Sequence, residues 1–188
     1  MGTNSTAYYF SVASSSIANF FDEMYLNTPW EQHYNNLDGR TILDRLASVK
    51  YFVVKNGKES DLPYGYSRLS GEAEKNGKTY LAYADEDALP LGYTYDSWIS
   101  REDYDKMTVT EKQQALLQGV VLDDSSLPET ETHFNDREVS YYTSEGKGCR
   151  LKNGKVVVTQ ENAQLKLVFE GEENAETYLI TEGLDYEG

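Results

Sequence analysis

Apolar residues recur with helical spacing in two stretches of the first fifty residues. Ile17, Phe20, Phe21 and Met24 fall at i, i+3, i+4 and i+7, which predicts an amphipathic helix. The serines at 14–16 offer hydroxyl groups to cap its N-terminus. A second helix is predicted to begin at Asp38 or Thr41, and its inward-facing apolar residues are Ile42, Leu43, Leu46 and Val49.

Short runs, some apolar and some alternating, predict strands within residues 1–122. They cover residues 6–12, 51–54, 66–69, 79–83 and 120–122, and residues 93–99 also alternate between two faces. Asn-Gly pairs at 56–57 and 76–77 are typical of tight turns between strands. Thr108 and Glu111 have the spacing of a capping box, which predicts a helix that stops at Gly119. Residues 27–36 are predicted to be a loop.

The chain is predicted to have an α+β fold made of two parts. Residues 1–122 form a mixed α/β part, and residues 123–135 form an acidic connector. Residues 136–188 show only strand periodicity, at 139–143, 155–159, 164–169 and 177–181, which predicts an antiparallel β-rich, sandwich-like part. A sandwich normally has more strands, so we expect this β-rich part to be truncated.

Composition indicates an ordered, acidic protein. Tyrosine accounts for 16 of the 188 residues, and its half-polar ring suits partly buried β surfaces. Asp and Glu number 32 against 17 Lys and Arg, so the net charge is −15. A field of this sign repels phosphate backbones and excludes nucleic acid as a partner. It also argues against a polybasic helix on a membrane surface, and its simplest interpretation is a solvated exterior.

Cysteine usage and targeting signals leave the cellular compartment undecided. Cys149 is the single cysteine, so an intrachain disulfide is excluded, which fits the cytosol and also fits many Gram-positive surface proteins. No run approaches the roughly 18–20 apolar residues that span a bilayer. Residues 1–10 lack the features of a signal peptide, so for an exported protein we expect the targeting signal to lie outside this sequence.

Motifs for catalysis and metal binding are incomplete. His33 and His133 lack ligand-type neighbours at metal-binding spacing. Residues 144–147 match a Ser-x-x-Lys pattern but lie in a polar, glycine-flanked turn, so we interpret the match as chance. Residues 36–39 resemble part of a calcium loop, but Tyr34 and Arg45 occupy positions that require oxygen ligands. We therefore expect no metal, no cofactor and no catalytic residue; the many carboxylates single out no glycosidase pair.

Aromatic residues near predicted loops are the remaining candidates for binding. Rings beside carboxylates and amides suit stacking on sugars, whereas many tyrosines of β-rich domains simply pack in the interior. Both interpretations remain open from the residues alone. The candidate binding residues are Trp30, His33, Tyr34, Tyr64, Tyr66, Tyr93, Tyr95, Asp96 and Trp98.

Several segments, in order, resemble the YfhO-like family of bacterial polytopic membrane proteins. The matching segments are residues 7–11, 17–24, 37–40, 46–52, 63–66, 89–99, 111–117 and 175–179. The resemblance implies a parent with many transmembrane helices and a large region on the extracytoplasmic face. It also implies similarity to C-type glycosyltransferases, which take sugar from a polyprenyl-phosphate carrier, and a role in glycosylating lipoteichoic acid or the cell envelope.

The resemblance to C-type glycosyltransferases implies a catalytic carboxylate in an early extracytoplasmic loop between membrane helices, and this sequence has no counterpart of that loop. The resemblance therefore implies a non-catalytic accessory domain on the extracytoplasmic face. Its expected partners are the transmembrane part of the same polypeptide and a cell-envelope glycan or teichoic acid acceptor. Because a charge of −15 repels a polyphosphate, contact with such an acceptor would have to run through sugars, D-alanyl amines or bridging cations.

Two other interpretations remain open at this stage. One is a free-standing carbohydrate-binding or adhesion module on the cell surface, which would need its own signal peptide and anchor. The other is a secreted hydrolase, which would need clustered carboxylates with a raised pKa in a cleft.

Overall fold

The computed structural model describes residues 8–9, 14–26, 33–34, 36–181 and 183, with the backbone alone for 8–9, 33–34 and 143–145. The chain divides into two compact units, Met1–Asp136 and Arg137–Gly188. Residues 123–135, predicted to be a connector, fall within the first unit. The backbone groups of Trp98 bind those of Pro128 and Thr130, so part of this acidic segment lies along a strand.

Four α-helices and one 3-10 turn are described in the first unit. The helices are α1 (Ser15–Glu23), α2 (Thr41–Leu46), α3 (Arg101–Asp105) and α4 (Val109–Ala115), and the 3-10 turn is Glu59–Asp61. The predicted capping box is confirmed: Thr108 and Glu111 exchange side-chain and backbone hydrogen bonds at the start of α4. The serine hydroxyl predicted to cap α1 is not used, because Ser14 occupies the N-cap position without a side-chain bond.

The described strands of the first unit form three sheets. Their bounds are β1 (Tyr8–Tyr9), β2 (His33–Tyr34), β3 (Tyr51–Lys55), β4 (Ser67–Arg68), β5 (Ala73–Lys75), β6 (Lys78–Ala84), β7 (Trp98–Ser100) and β8 (Val120–Leu122). β6 is the centre of a four-stranded antiparallel sheet, with β3 on one side and β4 and β5 on the other. β7 and β8 are parallel, and α3 and α4 lie between them in the sequence. β1 pairs with β2, so the loop predicted for residues 27–36 contains a short strand.

The strand predicted for residues 93–99 is wrong over most of its length. Only Trp98–Ser100 is a strand, and residues 93–97 are irregular. The hydroxyl groups of Tyr93 and Tyr95 donate to backbone carbonyls at the ends of α2 and α4 instead. The alternating pattern of residues 93–97 therefore does not mark a strand. It places two tyrosines so that their hydroxyls bind carbonyls at the ends of α2 and α4.

The core of the first unit has two clusters of apolar side chains. The larger cluster joins the helices to β7, and its buried members are Phe21, Met24, Leu26, Leu37, Leu43, Ile99, Tyr104 and Ala115. The smaller cluster lies on one face of the four-stranded sheet and contains Val54, Tyr66, Leu81 and Tyr83. Burial of these side chains contributes roughly 1.5–3 kcal/mol for each large residue and supplies most of the stabilisation of the unit.

The second unit contains four described strands: β9 (Tyr141–Lys147), β10 (Cys149–Lys152), β11 (Lys155–Val158) and β12 (Gln164–Phe169). They form two antiparallel pairs, β9 with β12 and β10 with β11. The strand predicted at 177–181 is wrong, since those residues carry no strand pairing, and β10 was not predicted. With helices and antiparallel sheets in one chain, the α+β fold class with a β-rich second part is confirmed.

Candidate functional site

The structure describes none of the side chains of the first three predicted binding residues. Trp30 falls outside the described residues. His33 and Tyr34 form β2, where His33 pairs with Tyr9 and Tyr34 with Tyr8. Their side chains lie outside the described part of the chain, so this part of the prediction is untested.

Tyr64 and Tyr66 lie in one loop but differ in exposure. The Tyr64 ring is half exposed, and its carbonyl accepts a hydrogen bond of 2.6 Å from the hydroxyl of Thr41 at the start of α2. Tyr66 is buried, and its hydroxyl donates to the carbonyl of Val49 at 2.6 Å. Burial, and next the negative charge of Asp44, raises the pKa of Tyr66 well above its ordinary value. Tyr66 is therefore a neutral core residue, and Tyr64 is the member of the pair that faces solvent.

The loop that carries these tyrosines packs against a buried ion pair. Arg45 Nε donates to Asp85 Oδ2 at 2.6 Å and Arg45 Nη2 donates to Asp87 Oδ2 at 2.9 Å. Burial alone would raise the pKa of Asp85, but the hydrogen bonds from Arg45 and from the Asp87 N–H outweigh it and hold that pKa below its usual value. This arrangement stabilises the junction between α2 and the end of β6 and leaves the Asp85 carboxylate ionised.

Tyr93 and Tyr95 form an aromatic pair that spans two helix ends. Their rings meet edge to face with 5.6 Å between centroids. Tyr93 donates to the carbonyl of Leu46 at 3.2 Å, and Tyr95 donates to the carbonyl of Leu116 at 2.5 Å. Burial, followed by the neighbouring Tyr93 hydroxyl, raises the pKa of Tyr95 to about 12. Both hydroxyl protons are thus used within the protein, and the hydroxyl oxygens can only accept, so the ring surfaces are the main contact left for a ligand.

Asp96 and Trp98 follow this pair in the chain. Asp96 is exposed, whereas Trp98 is half-buried in β7. The backbone N–H of Trp98 donates to the carbonyl of Pro128 at 3.0 Å, and the backbone carbonyl of Trp98 accepts from the N–H of Thr130 at 2.7 Å. The segment 128–130 therefore extends the β7–β8 pair along the outer side of β7.

A cleft of about 250 Å³ lies beside Tyr95, between α1 and the β7–β8 region. Of the predicted binding residues whose side chains the structure describes, Tyr95 alone lines it. The other lining residues were not predicted, because they come from separated segments and carry no shared motif. The lining residues are Phe20, Glu23, Tyr95, Arg101, Tyr104, Leu116, Gly119, Val120 and Val121.

Glu23 and Arg101 give this apolar cleft its polar character. Arg101 Nη1 donates to Glu23 Oε1 at 2.7 Å, and both side chains are partly exposed. The Arg101 guanidinium also lies 5.3 Å from the ring centroid of buried Tyr104, with Lys112 at 5.3 Å from the same ring. Aromatic and aliphatic surface next to one carboxylate and one guanidinium suits a small, neutral, hydroxyl-rich ligand.

Gly119 lets the end of α4 approach β7 closely enough to form the wall of the cleft. A Cβ at this position would lie 3.1 Å from Ile99 Cγ1. The Ser97 hydroxyl donates to the carbonyl of Gln118 at 3.0 Å, which holds the same two segments together. The helix predicted to stop at Gly119 ends earlier, at Ala115, but Gly119 itself shapes the candidate site.

The described residues contain no group of three or more His, Cys, Asp or Glu side chains arranged to hold a metal ion. Within the same residues, no helix combines the length and the apolar character that crossing a bilayer requires.

Comparisons with known proteins identify a family for almost the whole chain. A family model described as "Bacterial membrane protein YfhO" matches residues 1–185. The chain is 25% identical over 164 residues to the "Uncharacterized protein YfhO" of Bacillus subtilis. That alignment covers 86% of this chain but 18% of the Bacillus protein, so the chain corresponds to a small part of its relative. No solved structure matches. The family match extends along both units, and the chain therefore belongs to the YfhO family of bacterial membrane proteins.

Proposed function

We propose that this chain is a non-catalytic accessory domain on the extracytoplasmic face of a multi-pass membrane protein. The parent would resemble a C-type glycosyltransferase acting on lipoteichoic acid or another cell-envelope glycan. The accessory domain would recognise or position the acceptor beside the membrane-embedded active site.

One combination of observations carries this proposal. The chain matches a membrane-protein family over residues 1–185, yet its described residues include no helix able to cross a bilayer. It also aligns with 18% of a much longer relative. In this proposal the chain is a region of a longer membrane protein and lies next to the bilayer.

Hydrogen bonds hold three carboxyl groups of the described residues in the ionised form. A glycosidase needs an acid whose pKa is raised. The shifts resolved for carboxyl groups of the described residues are downward, at Glu59, Asp85 and Asp103. Hydrogen bonds to the carboxylate lower the pKa of Glu59 and Asp103, and at Asp85 they outweigh burial.

The cleft beside Tyr95 is the proposed contact for the acceptor's sugar. Its rings offer stacking surface, and the Glu23–Arg101 pair offers both an acceptor and donors to sugar hydroxyls. A neutral sugar residue avoids the repulsion that a net charge of −15 imposes on a polyphosphate backbone.

Cysteine labelling of the full-length parent tests the location. Native cysteines, including Cys149, are replaced by serine, and Leu91, which is 94% exposed, is changed to cysteine. We expect a membrane-impermeant maleimide to label Leu91→Cys in intact cells. Labelling only after lysis would place the domain in the cytoplasm and overturn the proposal.

A buried position supplies the control for folding. Ala115 is fully buried in the larger core cluster, so Ala115→Cys is expected to react only after denaturation. The alternative of a free-standing surface module predicts a full-length gene without transmembrane segments, together with release of the protein by removal of a wall or lipid anchor.

A further inference from the structure

The tetrapeptide Lys-Asn-Gly-Lys occurs three times, at residues 55–58, 75–78 and 152–155. Each copy follows a strand and makes a turn at its glycine, with φ of +83° at Gly57, +67° at Gly77 and +72° at Gly154. The last copy forms the tip of the β10–β11 hairpin in the second unit. The first two copies belong to the same sheet of the first unit.

Sheet pairing brings these first two turns to one end of the four-stranded sheet. Lys55, the last residue of β3, pairs with Tyr80 near the start of β6. Lys75 pairs directly with Lys78 across the β5–β6 turn. The Asn56 N–H donates to the carbonyl of Thr79 at 2.9 Å, which joins the two turns side by side. The lysine patch defined by this arrangement consists of Lys55, Lys58, Lys75 and Lys78.

The lysine patch differs from most other cations of the first unit. Within the described residues, none of its four exposed side chains forms an ion pair. Arg45, Arg101 and Lys106, by contrast, all pair with carboxylates. Like charges placed directly opposite each other, as in Lys75 and Lys78, destabilise a sheet. These lysines therefore contribute little to folding and are available to an external anion.

Neighbouring residues add carboxylates and an apolar surface. Glu59 lies next to Lys58 and accepts a hydrogen bond from the Gly57 N–H at 3.2 Å. Glu74 precedes Lys75 in β5, and Asp61 ends the 3-10 turn, so the four lysines outnumber these carboxylates and the patch stays net positive. Tyr51 and Val53 precede Lys55 at alternate positions and share its face of β3. They are 61% and 63% exposed, which is unusual for residues of their type.

We infer that the lysine patch is a docking site for the anionic lipid headgroups of a bilayer. Turns that project from a sheet end suit contact with a plane, whereas a polymer chain is usually held in a groove. Long lysine side chains can place ammonium groups among headgroups while their methylenes, with Tyr51 and Val53, cover the interfacial region. The chain belongs to a membrane-protein family, so a bilayer lies within reach.

The net charge of −15 does not prevent this docking. β6 is seven residues long, or roughly 20 Å, and separates the lysine patch from the acidic residues that follow it, Asp85, Glu86 and Asp87. The Debye length at physiological salt is about 8 Å, so those charges are largely screened at the lysine end. This inference goes beyond the proposed function. Docking requires a nearby bilayer, but it can occur on either face of the membrane, whereas the proposed function requires the extracytoplasmic face.

Vesicle binding by the 188-residue chain tests the inference. In a Cys149→Ser background, Asn56→Cys carries an environment-sensitive fluorophore at the lysine end, and Leu91→Cys carries it at an exposed position of the segment that follows β6. We expect a blue shift for the Asn56→Cys label with vesicles containing phosphatidylglycerol, and none with neutral phosphatidylcholine vesicles or at Leu91→Cys. Equal shifts with neutral vesicles would overturn the inference.

Charge variants identify the responsible lysines. The patch variant combines Lys55→Gln, Lys58→Gln, Lys75→Gln and Lys78→Gln. The matched control combines Lys50→Gln, Lys106→Gln, Lys147→Gln and Lys166→Gln, with the same change in net charge. Each lysine near an anionic bilayer contributes roughly fivefold to affinity, so we expect the patch variant to bind vesicles roughly 100-fold more weakly or worse. The control variant should retain most of the binding.

Three results would contradict the inference. Equal losses in the two variants would show that net charge, not the patch, determines binding. Absence of vesicle binding by the unmodified chain up to millimolar anionic lipid would remove the site altogether. A shift of the Asn56→Cys label with soluble glycerol-phosphate polymer but not with vesicles would assign the patch to a polymer instead. None of these results bears on the cysteine-labelling test, so the two hypotheses fail separately.

Discussion

Arg45 and Asp85, 40 residues apart in the chain, form a two-point ion pair that joins α2 to the end of β6. Nε and Nη2 of Arg45 lie 2.6 Å and 3.1 Å from the two carboxylate oxygens of Asp85, whose side chain is 2% exposed. Asp87 adds an outer contact to the same guanidinium. The pair therefore fixes α2 to the four-stranded sheet. The carbonyl of Leu46, at the end of α2, accepts the hydrogen bond from Tyr93, and the sheet carries the lysine patch.

We expect Asp85→Asn to destabilise the chain by about 2–4 kcal/mol, because it leaves a partly buried guanidinium without its closest counter-charge. Asp87→Asn removes a carboxylate that is 74% exposed, so its cost should stay under about 1 kcal/mol. Urea unfolding of the two variants measures the difference. Similar losses in both would mean that the inner contact contributes no more than an ordinary surface pair.

Stability should fall in acid partly through Asp85. Its pKa in the folded chain is lowered, so its contribution is complete above the unfolded value of about 3.9 and is lost as the pH falls through the folded pKa. Unfolding free energies measured between pH 6 and pH 2 should therefore decline less steeply for Asp85→Asn than for the unmodified chain. Parallel curves would contradict the assignment.

Gly65 lies against the same ion pair with φ of +87°, and a Cβ there would be 3.2 Å from Arg45 Nη2. Gly57 has φ of +83°, but a Cβ at that position would meet nothing within 4 Å. A substitution at Gly57 therefore measures the cost of the positive φ alone, without a steric contact. We expect Gly57→Ala to cost about 1 kcal/mol and Gly65→Ala to cost about 1–2 kcal/mol more. Equal unfolding free energies for these variants would show that Arg45 moves aside freely.

Helix capping offers a matched pair of positions. The Thr108 hydroxyl accepts from the Glu111 N–H at the start of α4, whereas Ser14 occupies the N-cap of α1 without such a bond. Thr108→Ala should destabilise the chain by about 1 kcal/mol, and Ser14→Ala should have an effect within about 0.5 kcal/mol. Chemical denaturation with both variants measures these values; a loss at Ser14 equal to that at Thr108 would contradict the geometry.

Sugar binding in the cleft should depend on Arg101. We expect Arg101→Gln to weaken binding of neutral oligosaccharides about tenfold, the loss of one charge-assisted hydrogen bond, with little change in stability. Arg68→Gln is the control, since Arg68 forms a comparable surface pair with Glu72 outside the cleft. Titrations followed by NMR measure the affinity and show whether resonances of the lining residues shift. Equal effects of both variants, or shifts confined to other surfaces, would remove the cleft from the proposed function.

Local features of this chain were predictable because they depend on residues within a few positions of each other. The capping box at Thr108 and Glu111, the Asn-Gly turns and the helix near Ile17 all follow from short-range hydrogen bonding or helical spacing. The α+β fold class follows from summing such signals along the chain. The family resemblance from ordered segments was likewise present in the residues and was confirmed by the family match.

The sequence by itself therefore determined the fold class, the family and most of the elements, whereas long-range contacts decided which residues are available for function. Tyr66 and Tyr64 look equivalent in sequence, but burial against Val49 separates them. The cleft unites Phe20, Tyr95 and Arg101 from distant segments. A net charge of −15 gave no hint of a basic surface, since only antiparallel pairing of β3, β5 and β6 brings two lysine-bearing turns to one end of a sheet. Periodicity predicts which face of a helix or strand is buried. Which residues pack against that face depends on tertiary contacts between segments that are distant in the chain.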